Sequence, residues 1–444
     1  AGGNTLCTYF INRSVEVCCG EGSMETRLDV VMLSSTHGMQ HFFGKIFPPL
    51  IPLLATDLQL PLWKLGLVVT LWSLANGLLQ APMGVLSDRY DRKYLLTAGL
   101  LSVSLGYFVV AAAMELGAVL PVLEILGVQW SGTLLAIALG MIVAGLGKSV
   151  THPTGYPLLT ANVPEGRKGN ALGSWGSASK VGDAVGPAFV GVAILVLPWQ
   201  EVFMAVSVLA ALYAAVLFLY MSRSGMKTVP QRSSSSDVGG EGRTDYLLPV
   251  GLVLLAMISL SLAFRGVGTY LPTFIAEVHG YSLTLAGVTV GPESVASLYF
   301  SLVLLTGAVV MLKVGDVVDD YDPRDIMLVL YLGAAVSVVA LTVLPMTPLT
   351  LVLVGMALGG TLFATNPARD AIISRVAPEE REGRIFGYFW TILLLTSAGF
   401  PVLIGYLADT VGITQGFTYL AAGPLLGMVP LFVLKWMRPD GRQE

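Results

Sequence analysis

Four polar side chains recur at three- and four-residue steps in an otherwise apolar stretch of the sequence: His37, Gln40, His41 and Lys45. On a helix this spacing places them on one face. Imidazole, amide and ammonium groups can bind a polar or anionic solute, and imidazole can exchange protons near neutral pH. Because four polar groups on one face are hard to satisfy without water, we expect this face to line a cavity. Polar packing against neighbouring helices is the alternative.

Further ionisable side chains lie in later apolar stretches. Lys148 and His152 stand four residues apart on one predicted helix face, with Thr151 beside them. Contact with a substrate or proton fits this pair, and so does a role at the cytoplasmic end of the helix. Lys180 and Asp183 are three residues apart, so they can form a structural ion pair on one helix. A buried carboxylate can also carry a proton, and we expect Asp183 and His152 to be the proton-coupling residues.

Arg265 adds a guanidinium, which can hold a carboxylate or phosphonate in bidentate fashion. Its alternative partners are backbone carbonyls opened by Gly266, Gly268 and Pro272. The apolar stretches thus contain four cations against one carboxylate, and a lumen of that sign attracts anions. The sequence therefore predicts a binding site for a small organic anion. The predicted substrate contacts are His37, Gln40, His41, Lys45, Lys148, His152 and Arg265.

Membrane-spanning helices are the elements that must position these side chains. The chain has 444 residues, of which 54% are hydrophobic and 12% charged, and its mean hydropathy is +0.74. So little charge cannot supply the polar faces of a soluble helical protein, and the strand pattern of a membrane β-barrel is missing. A helix needs roughly 20 apolar residues to cross a bilayer. About twelve such runs lie near 30–55, 65–86, 94–114, 132–158, 170–197, 201–221, 247–275, 292–312, 325–345, 349–368, 384–408 and 415–436.

Lysine and arginine are distributed unevenly between the loops. With twelve spans and a cytoplasmic N-terminus, twenty of the 25 fall in cytoplasmic segments and only Lys64 in an outside loop. This predicts a multi-pass protein of the cytoplasmic membrane with both termini inside. The predicted domains are a disordered tail at 1–28, a six-helix bundle at 29–221, a flexible Ser/Gly-rich linker at 222–246, a second six-helix bundle at 247–437 and a tail at 438–444.

The two halves repeat each other at fixed offsets. Thr151-His152-Pro153 aligns with Thr365-Asn366-Pro367, and the charged segment Gly84–Lys93 recurs at Gly315–Arg324. The offset between the two charged segments is larger than the offset between the two Thr-x-Pro segments, which fits an insertion of about ten residues near Gly291–Phe300. A duplicated six-span unit suits a transporter whose two bundles rock about a site at mid-membrane.

Particular motifs resemble one family. The pattern G-x-L-x-D-R-x-x-R-K at Gly84–Lys93 resembles the signature loop of the major facilitator superfamily, and Gly315–Arg324 resembles its degenerate second copy. Glycine and proline of the fifth predicted span resemble the pattern of superfamily antiporters: Gly173, Gly182, Gly186, Pro187 and Gly191. Two further stretches resemble the fosmidomycin-resistance branch, namely His37 followed by Pro52-Leu53-Leu54, and His152-Pro153. His41 stands where that branch has an Asp.

The resemblance implies an all-α integral membrane fold with twelve helices in two pseudo-symmetric six-helix bundles and transport by alternating access. It also implies helix packing for the five fifth-span residues. The signature loops would form a conformational latch at the cytoplasmic face. The latch residues are Gly84, Asp88, Arg89, Arg92, Lys93, Gly315, Asp319 and Arg324.

These observations together predict a secondary transporter, coupled to protons, for a small organic anion or drug-like solute. No phosphate-binding loop, metal cluster or nucleophile motif is visible, so we expect neither an enzyme nor a bound metal or cofactor. Cys7, Cys18 and Cys19 all precede the first span. We expect a monomer in the lipid bilayer with no nucleic-acid partner. Uptake and efflux both remain open, and a non-transporting sensor or enzyme on the same scaffold is the alternative from another class.

Overall fold

Most of the described residues lie in apolar helices, and four of the helix breaks lie just before a proline. The computed structural model describes residues 21–125, 127–230, 246–285, 287–377 and 382–437. The helices of the first half are α1 (Glu21–Gly44), α2 (Phe47–Leu58), α3 (Leu62–Ser87), α4 (Arg92–Ala111), α5 (Ala113–Val119), α6 (Gly132–Ser149), α7 (Thr151–Ala161), α8 (Lys168–Ala193) and α9 (Trp199–Arg223). Those of the second half are α10 (Leu247–Phe274), α11 (Pro292–Asp320), α12 (Pro323–Val343), α13 (Pro348–Leu362), α14 (Asn366–Val376), α15 (Glu382–Ser397), α16 (Phe400–Val411), α17 (Ile413–Tyr419) and α18 (Ala422–Trp436).

Four interruptions each lie just before a proline. Pro48, Pro153, Pro367 and Pro401 occupy the first turns of α2, α7, α14 and α16. Proline has no backbone N–H and its ring collides with the preceding turn, so a helix tends to stop before it and start again. The pairs α1/α2, α6/α7, α13/α14 and α15/α16 therefore continue one another as broken rods.

Membrane-spanning character is strong in most rods and weak in two. Among the described residues, ten helices are long and apolar enough to cross a membrane. The spans predicted near 30–55 and 170–197 are not among them. These are α1/α2 and α8, which contain His37, His41, Lys180 and Asp183 and pack tightly against each other. Their polar surfaces thus face protein, as the cost of about 2.5–3.5 kcal/mol for a lipid-facing charge requires.

The internal repeat appears in the way two helices begin. Asp91 accepts a hydrogen bond from the backbone N–H of Lys93 at 2.9 Å and caps α4. Asp322, at the equivalent position, accepts from the N–H of Arg324 at 2.9 Å and caps α12. An aspartate at this position satisfies a backbone donor that the helix leaves free.

Two short antiparallel hairpins were not predicted. Strands β1 (Leu123–Ile125) and β2 (Val128–Trp130) pair between α5 and α6, and β3 (Leu283–Leu285) and β4 (Val288–Val290) pair between α10 and α11. Gly127 and Gly287 have positive φ in the two turns, at 74° and 83°. The second hairpin directly precedes the predicted insertion, and α11 begins at Pro292 with Gly291 as its N-cap.

Some predicted boundaries differ from the structure. Helix α1 begins at Glu21, inside the predicted tail at 1–28, and residues 1–20 lie outside the described part, as do 438–444. The predicted flexible linker begins with a packed segment, since Met226 and Thr228 are buried. The Asn162 side chain also accepts from the N–H of Lys227 at 2.8 Å. The remainder of the linker, 231–245, lies outside the described residues.

Candidate functional site

Glycine brings α1 and α8 together at the level of the predicted polar residues. A β-carbon at Gly182 would lie 2.0 Å from the carbonyl oxygen of Gly38, and one at Gly38 would lie 2.9 Å from that of Ala178. Only residues without side chains permit this approach. The contact places the polar face of α1 directly against the middle of α8.

Asp183 pairs across this contact with His41. The distance from His41 Nδ1 to Asp183 Oδ1 is 3.0 Å, and both side chains are largely buried. The sequence suggested Lys180 as the partner on the same helix. In the described part of the chain Asp183 is hydrogen-bonded to His41 instead, because the glycine contact brings α1 within hydrogen-bonding range.

His37 lies one helical turn before His41 and is held from two sides. Its ring stacks on Trp175 with centroids 4.2 Å apart, and its Nδ1 lies 2.8 Å from the carbonyl oxygen of Trp175. A carbonyl can only accept, so Nδ1 carries the hydrogen and Nε2 keeps a lone pair in the neutral ring. Trp175 was not recognised in the sequence, where nothing marks it as a partner of His37.

His152 joins these two residues to form a cluster of three histidines. Its ring centroid lies 5.0 Å from that of His37 and 6.2 Å from that of His41, and the centroids of His37 and His41 are 4.7 Å apart. One ring nitrogen from each residue lies within 4.8 Å of the others. His37 is buried, His41 half-buried and His152 exposed. The sequence predicted no metal-binding site, whereas the fold brings together three side chains that could hold a metal ion.

Lysines border the cluster. Lys148 donates from Nζ to the backbone carbonyl of Gln40 at 2.9 Å. The helix is interrupted between Lys148 and His152, which therefore lie on successive helices instead of one continuous face. Lys45 lies in the break between α1 and α2, so the predicted stripe of four residues is continuous only up to His41. Lys45 still interacts electrostatically with Asp183, Lys180 and Arg265.

Arg265 extends the site to the second half of the chain. Its guanidinium donates to Ser397 Oγ from Nε at 3.3 Å and from Nη2 at 3.2 Å, and to Ser73 Oγ from Nη1 at 3.4 Å. Ser73 belongs to α3 and Ser397 ends α15, so Arg265 bridges the two halves. These partners are side-chain hydroxyls, not the backbone carbonyls considered from the sequence.

The predicted packing residues of α8 behave differently from one another. Pro187 is buried, and a β-carbon at Gly186 would lie 2.8 Å from the carbonyl oxygen of Phe42. One at Gly191 would lie 3.0 Å from the carbonyl oxygen of Ser294, so this glycine packs on α11 of the second half. Gly173 corrects the prediction, because nothing lies within 4 Å of an added β-carbon. Its segment of α8 runs past open space in this conformation.

Among the described residues, the contacts of the predicted latch do not join the two halves. Asp88 and Arg89 are exposed, as is Asp319. Arg92 is buried and donates to Ser87 Oγ at 3.3 Å. The ammonium group of Lys93 lies 4.9 Å from the ring centroid of Tyr94, and Arg324 pairs with Asp322 at 2.8 Å.

Neither latch glycine is in tight contact with a described residue of another helix. A β-carbon at Gly84 would meet Pro153 at 3.8 Å, an ordinary van der Waals distance, and nothing lies within 4 Å of one at Gly315. The helices around the signature loops are therefore not pressed together in this conformation.

Contacts between the halves lie at the opposite face, where α3 begins. Asp409 of α16 accepts from the backbone N–H groups of Leu62 at 3.0 Å and Trp63 at 2.8 Å. Tyr270 donates its hydroxyl to the carbonyl oxygens of Leu62 and Pro401, at 3.0 and 2.9 Å. Sequence reasoning missed both residues, because Asp409 looks like an ordinary loop acid near a helix end. They close the opposite face, while His152 remains exposed.

Comparison with known proteins agrees with this architecture. The family model of the Major Facilitator Superfamily matches residues 33–393 and 289–444. The fosmidomycin resistance protein of Escherichia coli K12 is 23% identical over 93% of each chain. The hexuronate transporter of Bacillus subtilis 168 is 23% identical over 87% of this chain and 89% of its own.

Solved structures show the same fold. A bacterial homologue of the human lysosomal transporter Spinster, in an inward-facing and unoccupied conformation, superposes with a TM-score of 0.73 at 13% identity, over 95% of this chain and 99% of its own. The xylose transporter XylE of E. coli gives a TM-score of 0.70 at 13% identity, over 94% and 98%.

Proposed function

The chain belongs to the Major Facilitator Superfamily and is a secondary transporter in a membrane, and from this premise we propose that it carries a small organic anion in exchange or symport with protons. The observation that carries the proposal is the charge of the central site. Lys45, Lys148 and Lys180 each interact electrostatically with Asp183, and Arg265 interacts with Lys45. Among the described residues, four cations thus lie near this one carboxylate. In a space of low dielectric constant, such an excess of positive charge favours an anionic guest.

Each cationic group has a defined part in this proposal. Arg265 would hold a carboxylate or phosphonate, because its weak bonds of 3.2–3.4 Å to serine hydroxyls can be exchanged for stronger charge-assisted ones. Lys45, Lys148 and Gln40 would complete the site from α1 and α6, and the three histidines would bound it. Arg265 touches both halves, so an anion bound there would couple substrate occupancy to their relative position.

Proton coupling is the second part of the proposal. We assign it to Asp183 together with His152, because Asp183 is the carboxylate at the centre of the cationic groups and His152 is the cluster member open to the cavity. The hydrogen bond between His41 and Asp183 joins α1 to α8, so a change of protonation there would act on both helices.

Transport in proteoliposomes tests substrate class. We expect uptake of labelled glucuronate or a small phosphonate, and no uptake of glucose or tetraphenylphosphonium. Arg265→Ala and Lys148→Ala should each reduce the anion flux at least about tenfold, the loss expected when a charge-assisted contact of roughly 1.5–3 kcal/mol is removed. Lys313→Ala is the control, since Lys313 is 79% exposed and pairs with Asp316. Preference for the neutral or cationic solutes would overturn the proposal.

The same vesicles test coupling. A protonophore should collapse the flux of the wild type, and Asp183→Asn should transport without responding to an imposed pH gradient. Asp316→Asn, on an exposed carboxylate, is the control. Wild-type flux that ignores the pH gradient would instead indicate uniport or exchange.

The proposed transport could run in either of two directions, uptake or efflux. The resistance named in one relative corresponds to efflux, whereas hexuronate transport in the other concerns a carboxylate anion. The cationic site suits either direction. Counterflow measured from both sides of the membrane would decide between them.

A further inference from the structure

We propose that His37, His41 and His152 form a binding site for a divalent transition-metal ion of the kind that imidazole prefers, such as Zn²⁺, Ni²⁺ or Cu²⁺. The chain contains four histidines, and the fold gathers three of them from α1 and α7. Imidazole nitrogen is a common ligand for these ions. The site shares His152 and Asp183 with the proposed anion transport, but metal binding can be measured without transport.

The hydrogen bonds of the two α1 histidines leave the same atom free on each ring. Nδ1 of His37 is bonded to the carbonyl oxygen of Trp175, and Nδ1 of His41 to Asp183. Nε2 of His37 and Nε2 of His41 are both buried and have no hydrogen-bond partner among the described residues. Leaving a buried polar atom unpaired is unfavourable, so two such atoms in one cluster favour the binding of a ligand.

Hydrogen bonds at the ring nitrogen that does not bind the ion, which we call outer contacts, are typical of metal-binding histidine. A ligating imidazole usually donates its other N–H to a carboxylate or backbone carbonyl, which fixes the tautomer and orients the ring. His41 has the carboxylate and His37 the carbonyl. Their spacing of four residues on one helix is also a common one for two ligands of the same ion.

His152 supplies the third nitrogen from α7. Nitrogens bound to one tetrahedral ion at 2.0–2.1 Å lie about 3.4 Å apart, and here they lie within 4.8 Å of one another. The rings must therefore close by at most about 1.4 Å around an ion. His152 can supply this movement because it is exposed, whereas His37 is fixed by its stacking on Trp175.

The surrounding charge limits the affinity for a metal ion and predicts the fourth ligand. The positive charges of Lys148, Lys45 and Lys180 disfavour a bound metal cation, whereas the carboxylate of Asp183 favours it. Three histidines leave one position of a tetrahedral ion open toward the cavity. An anion in that position would offset the ion's charge, so we expect metal and anion to bind together.

Metal binding can be measured directly on the purified full-length chain in lipid nanodiscs, without substrate or pH gradient. The protein should carry no polyhistidine tag, and Cys7, Cys18 and Cys19 should be replaced by serine to remove other ligands. After treatment with chelator, equilibrium dialysis against Zn²⁺ should give one ion per chain. Cu²⁺ bound at the same site should show hyperfine coupling to imidazole nitrogen in its electron paramagnetic resonance spectrum.

Variants then locate the site. Asp183→Ala removes an outer contact and should weaken binding by about 10–100-fold. His37→Ala, His41→Ala and His152→Ala each remove a ligand and should weaken it further. His279→Ala is the matched control, because His279 lies outside the cluster and stacks on Tyr281. Elution and melting of each apo variant like the wild type would show that the fold is kept.

Three outcomes would overturn the site: no Zn²⁺ retained by the wild type, a Cu²⁺ spectrum without nitrogen coupling, or binding lost in His279→Ala and kept in the cluster variants. The first two need no variant to fold. None of them bears on anion flux, so this proposal and the proposed function can fail separately.

Discussion

Gly182 sets how closely α1 and α8 approach, and thereby the distance between His41 and Asp183. A methyl group at this position would lie 2.0 Å from a backbone oxygen, and no rotamer change can relieve a clash with backbone. We expect Gly182→Ala to force the helices apart and to lower stability by about 1–3 kcal/mol, the usual cost of overpacking. Thermal melting of the purified protein measures this loss.

Gly173→Ala is the matched comparison on the same helix. Nothing lies within 4 Å of its added β-carbon, and alanine is preferred to glycine inside a helix by roughly 0.5–1 kcal/mol. The melting temperature should stay the same or rise slightly. Equal loss in both variants would mean that the approach at Gly182 does not control stability.

The candidate site contains residue positions that the sequence could predict and contacts that it could not. The spacing of His37, Gln40 and His41 placed them on one face, because helical periodicity is local information. The partner of Asp183 was not predictable in the same way. Lys180 is close in sequence, whereas His41 becomes a neighbour only through the contact between Gly38 and Gly182.

At the level of helices and strands, the predictions from the sequence failed at the two polar spans, at the hairpins and at the helix breaks. Apolar length predicted the rods, but the polar faces of α1 and α8 are covered by their mutual packing and by contacts from α6, α7 and α11. The two hairpins escaped notice because each is a few residues long, and their turns depend on Gly127 and Gly287 at positive φ. The rod formed by α6 and α7 breaks just before Pro153, although the sequence predicted Lys148 and His152 on one helix face.

Asp409 connects α16 to the first turn of α3, and this contact can be tested. Its carboxylate accepts two backbone N–H groups that the helix leaves free. Asp409→Ala should remove about 1 kcal/mol of stabilisation from that turn and from the closed face. Hydrogen exchange of a peptide spanning residues 60–68 should speed up. Asp57→Ala, on an exposed acid near the end of α2, should leave it unchanged, and unchanged exchange in both variants would rule out the capping role.

Asp88 lies in the signature loop, whose contacts we expect to differ between transport conformations. It is exposed here, so a latch would form only in a conformation in which the signature loops meet the opposite half. We expect Asp88→Ala to reduce the maximal transport rate several-fold with little change in KM, because substrate contacts lie elsewhere. Glu165→Ala is the control at an exposed acid on a neighbouring loop. A wild-type rate in Asp88→Ala would leave the loop as a topology signal only.

Across the whole molecule, the described contacts between the halves join side chains and backbone at a few positions. Gly191 packs on Ser294, Ser301 donates to the carbonyl oxygen of Ala184 at 2.6 Å, and Tyr270 bridges α3 and α16. These contacts close one face of the molecule. The internal repeat predicted two similar halves, but their relative position depends on such long-range contacts and could not be derived from the sequence.

Orientation in the membrane and the open side can be tested together. Positive charge in the loops predicts that the signature loops are cytoplasmic, and closure at Asp409 leaves His152 reachable only from that side. In a background with Cys7, Cys18 and Cys19 replaced by serine, His152→Cys should react with a membrane-impermeant maleimide in inside-out vesicles and be protected in right-side-out vesicles. Lys64→Cys, near the start of α3, should give the reverse pattern. Labelling of both positions from the same side would contradict the orientation. Labelling of His152→Cys from both sides would instead mean that the closed face opens readily, because a residue behind the contacts of Asp409 and Tyr270 can be reached from there only when those contacts break.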